Sequence, residues 1–320
     1  IIFKSFFSSM KPLIVILGCT GTGKSDLGIA VAKNFNGEVI SADSMQIYKG
    51  LDIATNKVSQ EDMNGVKHHM MSFVEPSTST YNVHEVLILL EDLWRAGKLP
   101  VIVGGTGYYI EGILFKDSLI STNTFGISFT KFLLHYEYLE EQHRRTEVDE
   151  RLRFRNVLLF ILDAHKELLE KRLNERVAKM IEKGLRREVE NFYEQYRHCL
   201  TAHGVSQSIA IKEFHDYLQL TPDERYTELG DKLFSEGCEA LKLHTRQYSR
   251  RQRRWIKQHL LGGGTLTEVS IAFTFFMLHI YRCETCKIDV HGTINWEAHL
   301  KGRKHRRMLN KKGNESQAHE

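Results

Sequence analysis

Predominantly apolar runs alternate with amphipathic segments in the first third of the chain. The runs cover residues 13–17, 38–42 and 99–103, and apolar residues recur at helical spacing after the first run and again over 83–96. Strands that are apolar on both faces are typical of a parallel sheet covered by helices on both sides. We therefore predict an α/β fold with a doubly wound parallel sheet. Because ligands bind such sheets at the carboxyl ends of the strands, we expect the functional residues there.

The second half of the chain predicts further elements of the same fold. Residues 158–163 predict a strand that ends in Asp163, and residues 166–196 predict one helix with a buried apolar stripe. Residues 132–145 predict another helix, whereas 117–130 show no clear periodicity. Asp163 has two interpretations. It is either an acid that ends the strand in a turn, which we favour, or a Walker B carboxylate close to Mg²⁺.

The turn after the first apolar run matches the pattern G-x-x-x-x-G-K-[ST]. Its members are Gly18, Cys19, Thr20, Gly21, Thr22, Gly23, Lys24 and Ser25. Backbone N–H groups of such a loop and the start of the following helix attract phosphate, the lysine adds a cation, and the serine hydroxyl binds Mg²⁺. A strand before the turn and a helix after it favour phosphate or diphosphate binding over a merely tight turn. The pattern does not distinguish ATP from another diphosphate.

Composition is that of an ordinary globular protein. The chain has 320 residues, of which 42% are hydrophobic and 26% charged, enough for one sizeable core and a smaller appendage. Five cysteines, mostly far apart, do not form the framework of a disulfide-rich protein, so we expect a reducing compartment. The apolar segment 271–280 is about half as long as a membrane-spanning helix. We predict a buried element there and no membrane association.

The positive charge of the chain is concentrated near its C-terminus. Residues 242–257 and 301–312 are dense in Lys and Arg and contain no acid, so the rest of the chain is acidic on balance. In the first of these segments Tyr248 and Trp255 stand among the arginines, which suits contact with nucleic-acid phosphates and stacking on bases. A solvated basic helix face is the alternative.

A metal-binding pattern lies in the C-terminal region. The spacing Cys283-x₂-Cys286-x₁₂-His299-x₅-His305 is that of a C₂H₂ zinc finger, with cysteines on a hairpin and histidines on a helix. Two thiolates and two imidazoles complete a tetrahedral shell, so we predict a structural Zn²⁺. Such a small unit has too little core to fold without its metal.

Seven motifs in order resemble tRNA dimethylallyltransferases, also called tRNA isopentenyltransferases. The finger is similar to the matrin-type or U1-type fingers of the eukaryotic members. The motifs are Gly18–Ser25, Ser41–Tyr48, Gly50–Lys57, His68–His69, Val103–Tyr109, Gly204–Glu213 and Thr245–Gln252. The resemblance implies a P-loop NTPase-like sheet, a helical insertion region and a small ββα finger. It also implies transfer of a dimethylallyl group from its diphosphate to N6 of the adenosine 3′ of the anticodon.

The resemblance also implies roles for particular residues. Thr20, Lys24 and Asp43 would be catalytic, and Asp43 would accept the N6 proton or orient the amine. Diphosphate would bind the loop residues 18–25, with Mg²⁺ at Ser25, and Arg246. The tRNA would contact Asp43, Ser44, Met45, Gln46, Thr106, Gln207, Arg250 and Arg251.

One part of the family pattern is missing here. The chain passes almost directly from Phe115 to Gly126, where the family carries a substantial helical segment. The insertion region is therefore expected to be truncated, unless the sequence has lost an exon here. Independently of that choice, two alternatives to an active transferase stay open. One is a tRNA-binding family member with impaired catalysis; the other is a P-loop kinase or NTPase.

We expect seven segments along the chain and a monomeric protein. They are a leader with a weak targeting signal (1–10), the P-loop core (11–116), the truncated insertion (117–157), the rest of the core with basic tRNA-binding helices (158–260), a linker (261–278), the finger (279–312) and a tail (313–320). The expected compartments are the cytoplasm, the mitochondrion or both, with the nucleus as a further alternative.

Overall fold

The computed structural model describes residues 10–78, 84–116, 152–200, 204–261, 273–283, 285–291 and 293–308. Most of the predicted leader and insertion region, the helix predicted over 132–145 and the tail lie outside these residues. No helix within them combines the length and apolarity needed to cross a bilayer. All five cysteines belong to the described part, and none forms a disulfide.

Seven strands of the described chain form one sheet. They are β1 (Leu13–Gly18), β2 (Gly37–Ala42), β3 (His68–His69), β4 (Leu99–Gly104), β5 (Val157–Ala164), β6 (Phe273–Cys283) and β7 (Ile288–His291). Their spatial order is β3-β2-β4-β1-β5-β6-β7, and neighbours pair in parallel from β3 to β6, whereas β7 is antiparallel to β6. The parallel sheet is as predicted.

The helices fall on both faces of this sheet and in a separate layer. Those described are α1 (Lys24–Asn34), α2 (His84–Arg95), α3 (Gly107–Leu114), α4 (Lys166–Glu182), α5 (Leu185–Tyr196), α6 (Ile209–Glu213), α7 (His215–Gln219), α8 (Glu228–Trp255) and α9 (Thr293–Lys301). A π-helical segment, Ile256–Leu261, continues α8.

Alternate side chains of β1 point to opposite sides of the sheet, because strand residues alternate in direction. Leu13, Val15 and Leu17 pack in a cluster with residues of α2 and α3, whereas Ile16 packs with Ile29 of α1 on the other side. Both faces of the central strands are thus buried. This is why these strands are apolar almost throughout.

A second hydrophobic core joins helices α4 to α8. The stripe predicted in residues 166–196 is buried, but the prediction of a single helix is wrong. The segment forms two helices that part at Gly184, whose φ of 97° suits glycine. This core contains Val177 of α4, Phe192 of α5, Leu241 of α8 and Phe214, which lies between α6 and α7. It holds α4 and α8 side by side next to the sheet.

Strand β6 extends the sheet into the predicted finger. Its register with β5 runs from Phe273 opposite Val157 to Ile280 opposite Ala164, and the strand continues to Cys283. The described part of the apolar segment 271–280 is therefore a sheet strand. The boundary predicted between linker and finger, at residue 278, falls inside β6, because this apolar run pairs with the edge of β5.

Candidate active site and metal centre

The loop between β1 and α1 has the closed form that its glycines allow. Gly21 and Gly23 have φ values of 92° and 83°, in the region that side chains disfavour. A Cβ on Gly18 would lie 2.6 Å from the carbonyl oxygen of Leu162. The buried Thr22 hydroxyl donates to the Cys19 carbonyl at 2.8 Å and ties the loop together. Glycine at residue 18 thus lets β1 and β5 approach closely just before the loop.

Lys24 opens α1 and turns back over this loop. Its Nζ donates to the carbonyl of Cys19 at 2.8 Å. Burial lowers the pKa of Lys24 to about 8, and the nearby Arg176 acts in the same direction. The adjacent Ser25 is exposed at the start of the helix. Lys24 is thus a cation held with little hydration beside the loop.

Arg176 is a candidate site residue that the sequence did not reveal. It lies on α4, and its Nη1 donates to the Thr20 hydroxyl at 2.5 Å. Burial lowers the pKa of Arg176, while the charges of Asp43 and Asp26 partly oppose that effect. A single arginine on the charged face of a helix carries no local signal that distinguishes it from a solvent-exposed one. Only the tertiary structure brings it to the P-loop.

Helix α8 closes the loop from the other side. The Gln252 Oε1 accepts from the backbone N–H of Thr20 at 2.9 Å, and its Nε2 donates to the carbonyl of Gly105 at 2.8 Å. Ser249 donates to the Thr20 carbonyl at 3.3 Å. Because Gly105 follows β4, Gln252 connects the P-loop with the end of β4.

Thr106 bonds the residue after Asp43 next to this loop, so the ends of β2 and β4 come together as predicted. One Asp43 carboxylate oxygen, Oδ1, accepts from the N–H of Met45 at 2.9 Å, and the Thr106 hydroxyl accepts from the N–H of Ser44 at 3.2 Å. Gln46 accepts from Ser41 at 3.0 Å and donates to the carbonyl of Thr55 at 3.2 Å. These bonds fix the segment after β2 in one conformation.

Asp163 is paired with an arginine. Arg253 of α8 donates to its Oδ2 from Nε at 3.0 Å and from Nη2 at 2.6 Å, while the other oxygen accepts from the N–H of Ala164 at 2.9 Å. The carboxylate is buried, with 6% of the residue exposed. This arrangement favours the interpretation of Asp163 as the acid that ends β5, over that of a Walker B acid.

The other predicted tRNA and diphosphate contacts lie around α8. Arg246 donates to Asn174 of α4 at 2.5 Å, and Arg250 pairs with Glu170 at 2.5 Å. Arg251 is exposed, and Gln207 lies on a separate 3₁₀ turn. Of these residues, Arg246 and Arg250 line a cleft between α4 and α8. Their contacts with substrate stay predictions.

The four predicted metal ligands come together at the C-terminal end of the described chain. The ligand atoms of Cys283, Cys286, His299 and His305 lie within 4.8 Å of one another. Cys283 ends β6, Cys286 lies in the hairpin before β7, and His299 lies on α9. The Nε2 atom of His299 is buried and has no hydrogen-bond partner. A tetrahedral metal ion bound by these donors would satisfy that atom.

A family model and several relatives match this chain. The model of IPP transferase matches residues 46–125 and 128–259. The tRNA dimethylallyltransferase of Homo sapiens is 30% identical over an alignment that covers 94% of this chain and 86% of that protein. The enzyme of the same name from Saccharomyces cerevisiae is 33% identical, with coverage of 81% and 70%. The family model is interrupted at residues 126–127, close to the predicted omission.

Solved structures agree with the sequence matches. A eukaryotic dimethylallyltransferase acting on tRNA has a TM-score of 0.63 and 25% identity, and the match covers 96% of this chain and 98% of that one. The tRNA isopentenylpyrophosphate transferase of Bacillus halodurans has a TM-score of 0.60 and 25% identity, with coverage of 83% and 90%. The alignment with the human enzyme spans 405 positions, more than the 320 residues of this chain. Part of that enzyme therefore has no counterpart here.

Proposed function

Because this chain belongs to the IPP transferase family, we propose that it is a tRNA dimethylallyltransferase. Its reaction transfers a dimethylallyl group from dimethylallyl diphosphate to N6 of the adenosine 3′ of the anticodon. The observation that carries this proposal is the bridge made by Gln252, which joins the cationic P-loop to the end of β4, where Thr106 bonds the residue after Asp43. One site can therefore hold a diphosphate leaving group and, beside it, an amine nucleophile.

The residues around the P-loop stabilise the leaving group. As the C1–O bond of the donor breaks, negative charge grows on the departing diphosphate, and Lys24 and Arg176 supply cations for that charge. Thr20 lines the same pocket. Mg²⁺, which the Ser25 hydroxyl would help to hold, supplies further charge neutralisation when bound.

Asp43 acts as the base for the attacking amine. The N6 lone pair of adenine forms the new bond to C1, and Asp43 takes the proton that N6 loses. The segment Ser44–Gln46 and Thr106 position the flipped base, which must leave its stack to reach the site. The hydrogen bonds from Met45 and Ser44 keep this wall of the site preorganised.

The basic residues of α8 bind the anticodon stem-loop. Arg250 and Arg251 contact phosphates, and Gln207 contributes from the neighbouring helical layer. We further propose that the protein works as a monomer. The cytoplasm and the mitochondrion are its proposed compartments, with the nucleus as the alternative.

The C-terminal ligand cluster fits Zn²⁺. Two thiolates and two imidazoles form the donor set of a closed structural site, and the unpartnered Nε2 of His299 would gain a ligand bond. Zn²⁺ here would hold the β6–β7 hairpin against α9. It would take no part in the transfer reaction.

The first test is prenyl transfer by the purified protein. Dimethylallyl diphosphate and an anticodon stem-loop should give N6-dimethylallyladenosine, detected by mass spectrometry of the digested RNA. Asp43→Ala should lower kcat by about a hundredfold or more, since general bases contribute about that much, with little change in donor affinity. Loss of donor binding instead would contradict the role of Asp43 as base.

Two other outcomes would replace the proposal. If the RNA binds but no product forms with the wild-type protein, the chain is an RNA-binding family member without catalysis. ATP hydrolysis without prenyl transfer would identify an NTPase, the hypothesis that the pairing of Asp163 with Arg253 disfavours.

A further inference from the structure

A carboxylate of helix α5 holds the loop formed by residues 51–57. One oxygen of Glu188, Oε1, accepts from the backbone N–H of Ile53 at 2.8 Å, and Oε2 accepts from that of Ala54 at 2.8 Å. Hydrogen bonds to an ionised acceptor are stronger than those between neutral groups. Both carboxylate oxygens are engaged, so Glu188 ties this loop to α5 at two neighbouring residues.

The loop 51–57 is also closed by a lysine at its end. The Lys57 Nζ donates to the carbonyls of Tyr48 at 2.6 Å and Gly50 at 2.8 Å, and to the Ser72 hydroxyl at 2.8 Å. Only 4% of the Lys57 side chain is exposed. We therefore expect the loop to stay compact when Glu188 is changed, and the two bonds of Glu188 to determine where the loop lies relative to α5.

The same loop orients the side chain of Gln46. The Nε2 of Gln46 donates to the carbonyls of Thr55 at 3.2 Å and Asn56 at 3.4 Å, and its Oε1 accepts from the Ser41 hydroxyl at 3.0 Å. Since carbonyl groups only accept, they determine which end of the amide is the nitrogen. The two carbonyls belong to the residues that directly follow the two N–H groups bound by the carboxylate. A shift of those N–H groups therefore moves the acceptors of Gln46 as well.

We propose that Glu188 is a positioning residue for the target base, acting through the loop 51–57 and Gln46. This inference rests on the proposed function, in which the segment Ser44–Gln46 positions the flipped adenine. While the carboxylate holds the loop, the Gln46 amide keeps one orientation toward the base, and the N6 amine keeps its alignment with C1 of the donor. Such alignment is sensitive to distance, because a displacement of about 1 Å costs up to about a hundredfold in rate.

Glu188→Gln tests the first link with little change in volume. The amide NH₂ that replaces one oxygen donates and cannot accept from a backbone N–H, so one of the two bonds is lost. We expect kcat with an anticodon stem-loop to fall about tenfold, an intermediate loss for a misplaced reactant. The KM for RNA should change by less than about twofold, since phosphate contacts supply most of the affinity for RNA.

Donor affinity should also stay within about twofold, because the donor binds at the P-loop. It is measured with dimethylallyl S-thiolodiphosphate, in which sulfur replaces the bridging oxygen and slows the departure of the diphosphate. The number of analogue molecules bound per chain gives the folded fraction of each variant. A loss of kcat is thereby separated from a loss of folded protein.

Combining two substitutions shows whether the effect passes through Gln46. Gln46→Ala removes the side chain that the loop orients, so in that background Glu188→Gln should lower kcat by less than about twofold. A purely structural role of Glu188 would give the same loss of kcat in both backgrounds.

The matched control is Glu190→Gln on the same helix. Glu190 is buried and bonds the hydroxyls of Tyr217 and Tyr226 rather than the loop 51–57. This variant should have a lower melting temperature, because a buried hydrogen-bonded group loses a partner. Its kcat should stay within about twofold of the wild-type value, since a loss of stability alone does not misplace the base.

Hydrogen exchange gives a readout that needs no catalysis. In Glu188→Gln the amides of the pair Ile53 and Ala54 should exchange about tenfold faster, because one of them loses its acceptor. The amides of β2 should keep their wild-type rates, since this strand is paired on both sides. Unchanged exchange at both Ile53 and Ala54 would show that Glu188 does not hold the loop.

The outcomes distinguish this inference from the function on which it rests. If the wild-type protein transfers the group and Glu188→Gln keeps its kcat, or loses it equally in both backgrounds, the positioning role is overturned and the transferase activity stands. If neither Glu188→Gln nor Glu188→Asp folds, the residue is structural, and the inference is overturned in the same way. Absence of transfer by the wild-type protein means that the proposed function fails, and the positioning role fails with it.

Discussion

The lowered pKa of Lys24 predicts how donor binding depends on pH. Its pKa is lowered from 10.5 to about 8, because burial disfavours the charged form. A diphosphate pairs with the protonated lysine, so donor affinity should fall as pH rises above about 8, approaching tenfold per pH unit well above that value. Isothermal titration calorimetry with dimethylallyl S-thiolodiphosphate from pH 7 to pH 9.5 measures this slope.

The matched control is Lys24→Arg, because arginine stays charged over this range. It should bind the analogue with a much flatter pH profile. In the unbound protein the unfolded chain holds more protons at Lys24 between pH 8 and pH 10.5, so this residue makes folding more favourable as pH rises through that window. A loss of donor affinity in this pH window therefore cannot be explained by a loss of stability that the titration of Lys24 causes. An equal slope in both proteins would contradict the role of Lys24.

The sequence predicted individual site residues only where a motif carried them. Asp43 stands directly after β2, and Lys24 belongs to the loop motif that follows β1, so their place at the carboxyl edge followed from the apolar runs and the motif. Arg176 reaches the same loop from a helix whose sequence shows only a buried stripe and a charged face. Gln252 belongs to the motif Thr245–Gln252, but the motif does not show that its amide bonds the P-loop. Which turn of such a helix faces the loop depends on how α4 and α8 pack, and local sequence does not determine that.

At the scale of elements, α3 and α8 meet at one tight contact. A Cβ on Gly107 would lie 2.1 Å from the ring of Trp255. Gly107→Ala should therefore lower the free energy of unfolding by about 1–3 kcal/mol, the usual cost of overpacking. Urea unfolding followed by circular dichroism measures the difference.

A double-mutant cycle tests whether that cost comes from Trp255. Trp255→Leu has its own cost through lost packing, but the alanine should be tolerated in its presence. The double variant should then be more stable than the sum of the two single changes predicts. Additive effects would show that the strain at Gly107 comes from another neighbour.

The type of an element could be predicted where its burial shows as a pattern in its own sequence. The strands β1, β2, β4 and β5 are buried on both faces, so each is marked by an apolar run. β3 has two residues, His68 and His69, and offers no such run; it forms because the edge of β2 is open to pairing. The role of β6 as the strand next to β5 also depends on an open edge. The sequence marked this segment as buried without identifying its neighbour.

At the scale of the whole molecule, one strand links the central sheet to the candidate metal site. β6 pairs with β5 over eight residue pairs and ends at Cys283, one of the four predicted ligands. β5 carries Asp163 next to its last residue, and the partner of Asp163, Arg253, lies on the helix that closes the P-loop. The hairpin, the sheet edge and the site thus form one connected structure, and we expect metal binding to stabilise β6.

Removal of the metal should loosen β6 while the central strands stay protected. Cys286→Ser deletes a predicted ligand without changing a strand residue, so the variant should lose its zinc. The amides of β6 and β7 should then exchange about tenfold faster or more, because metal-binding energy in such units is folding energy. Amides of β1 and β4 should keep their protection, since both strands are paired on two sides. Cys199→Ser, at a thiol outside the cluster, controls for cysteine loss. Hydrogen exchange with mass spectrometry measures all three proteins.

If β6 stays protected in the zinc-free variant, its pairing with β5 is sufficient to hold it, and the metal stabilises only the hairpin and α9.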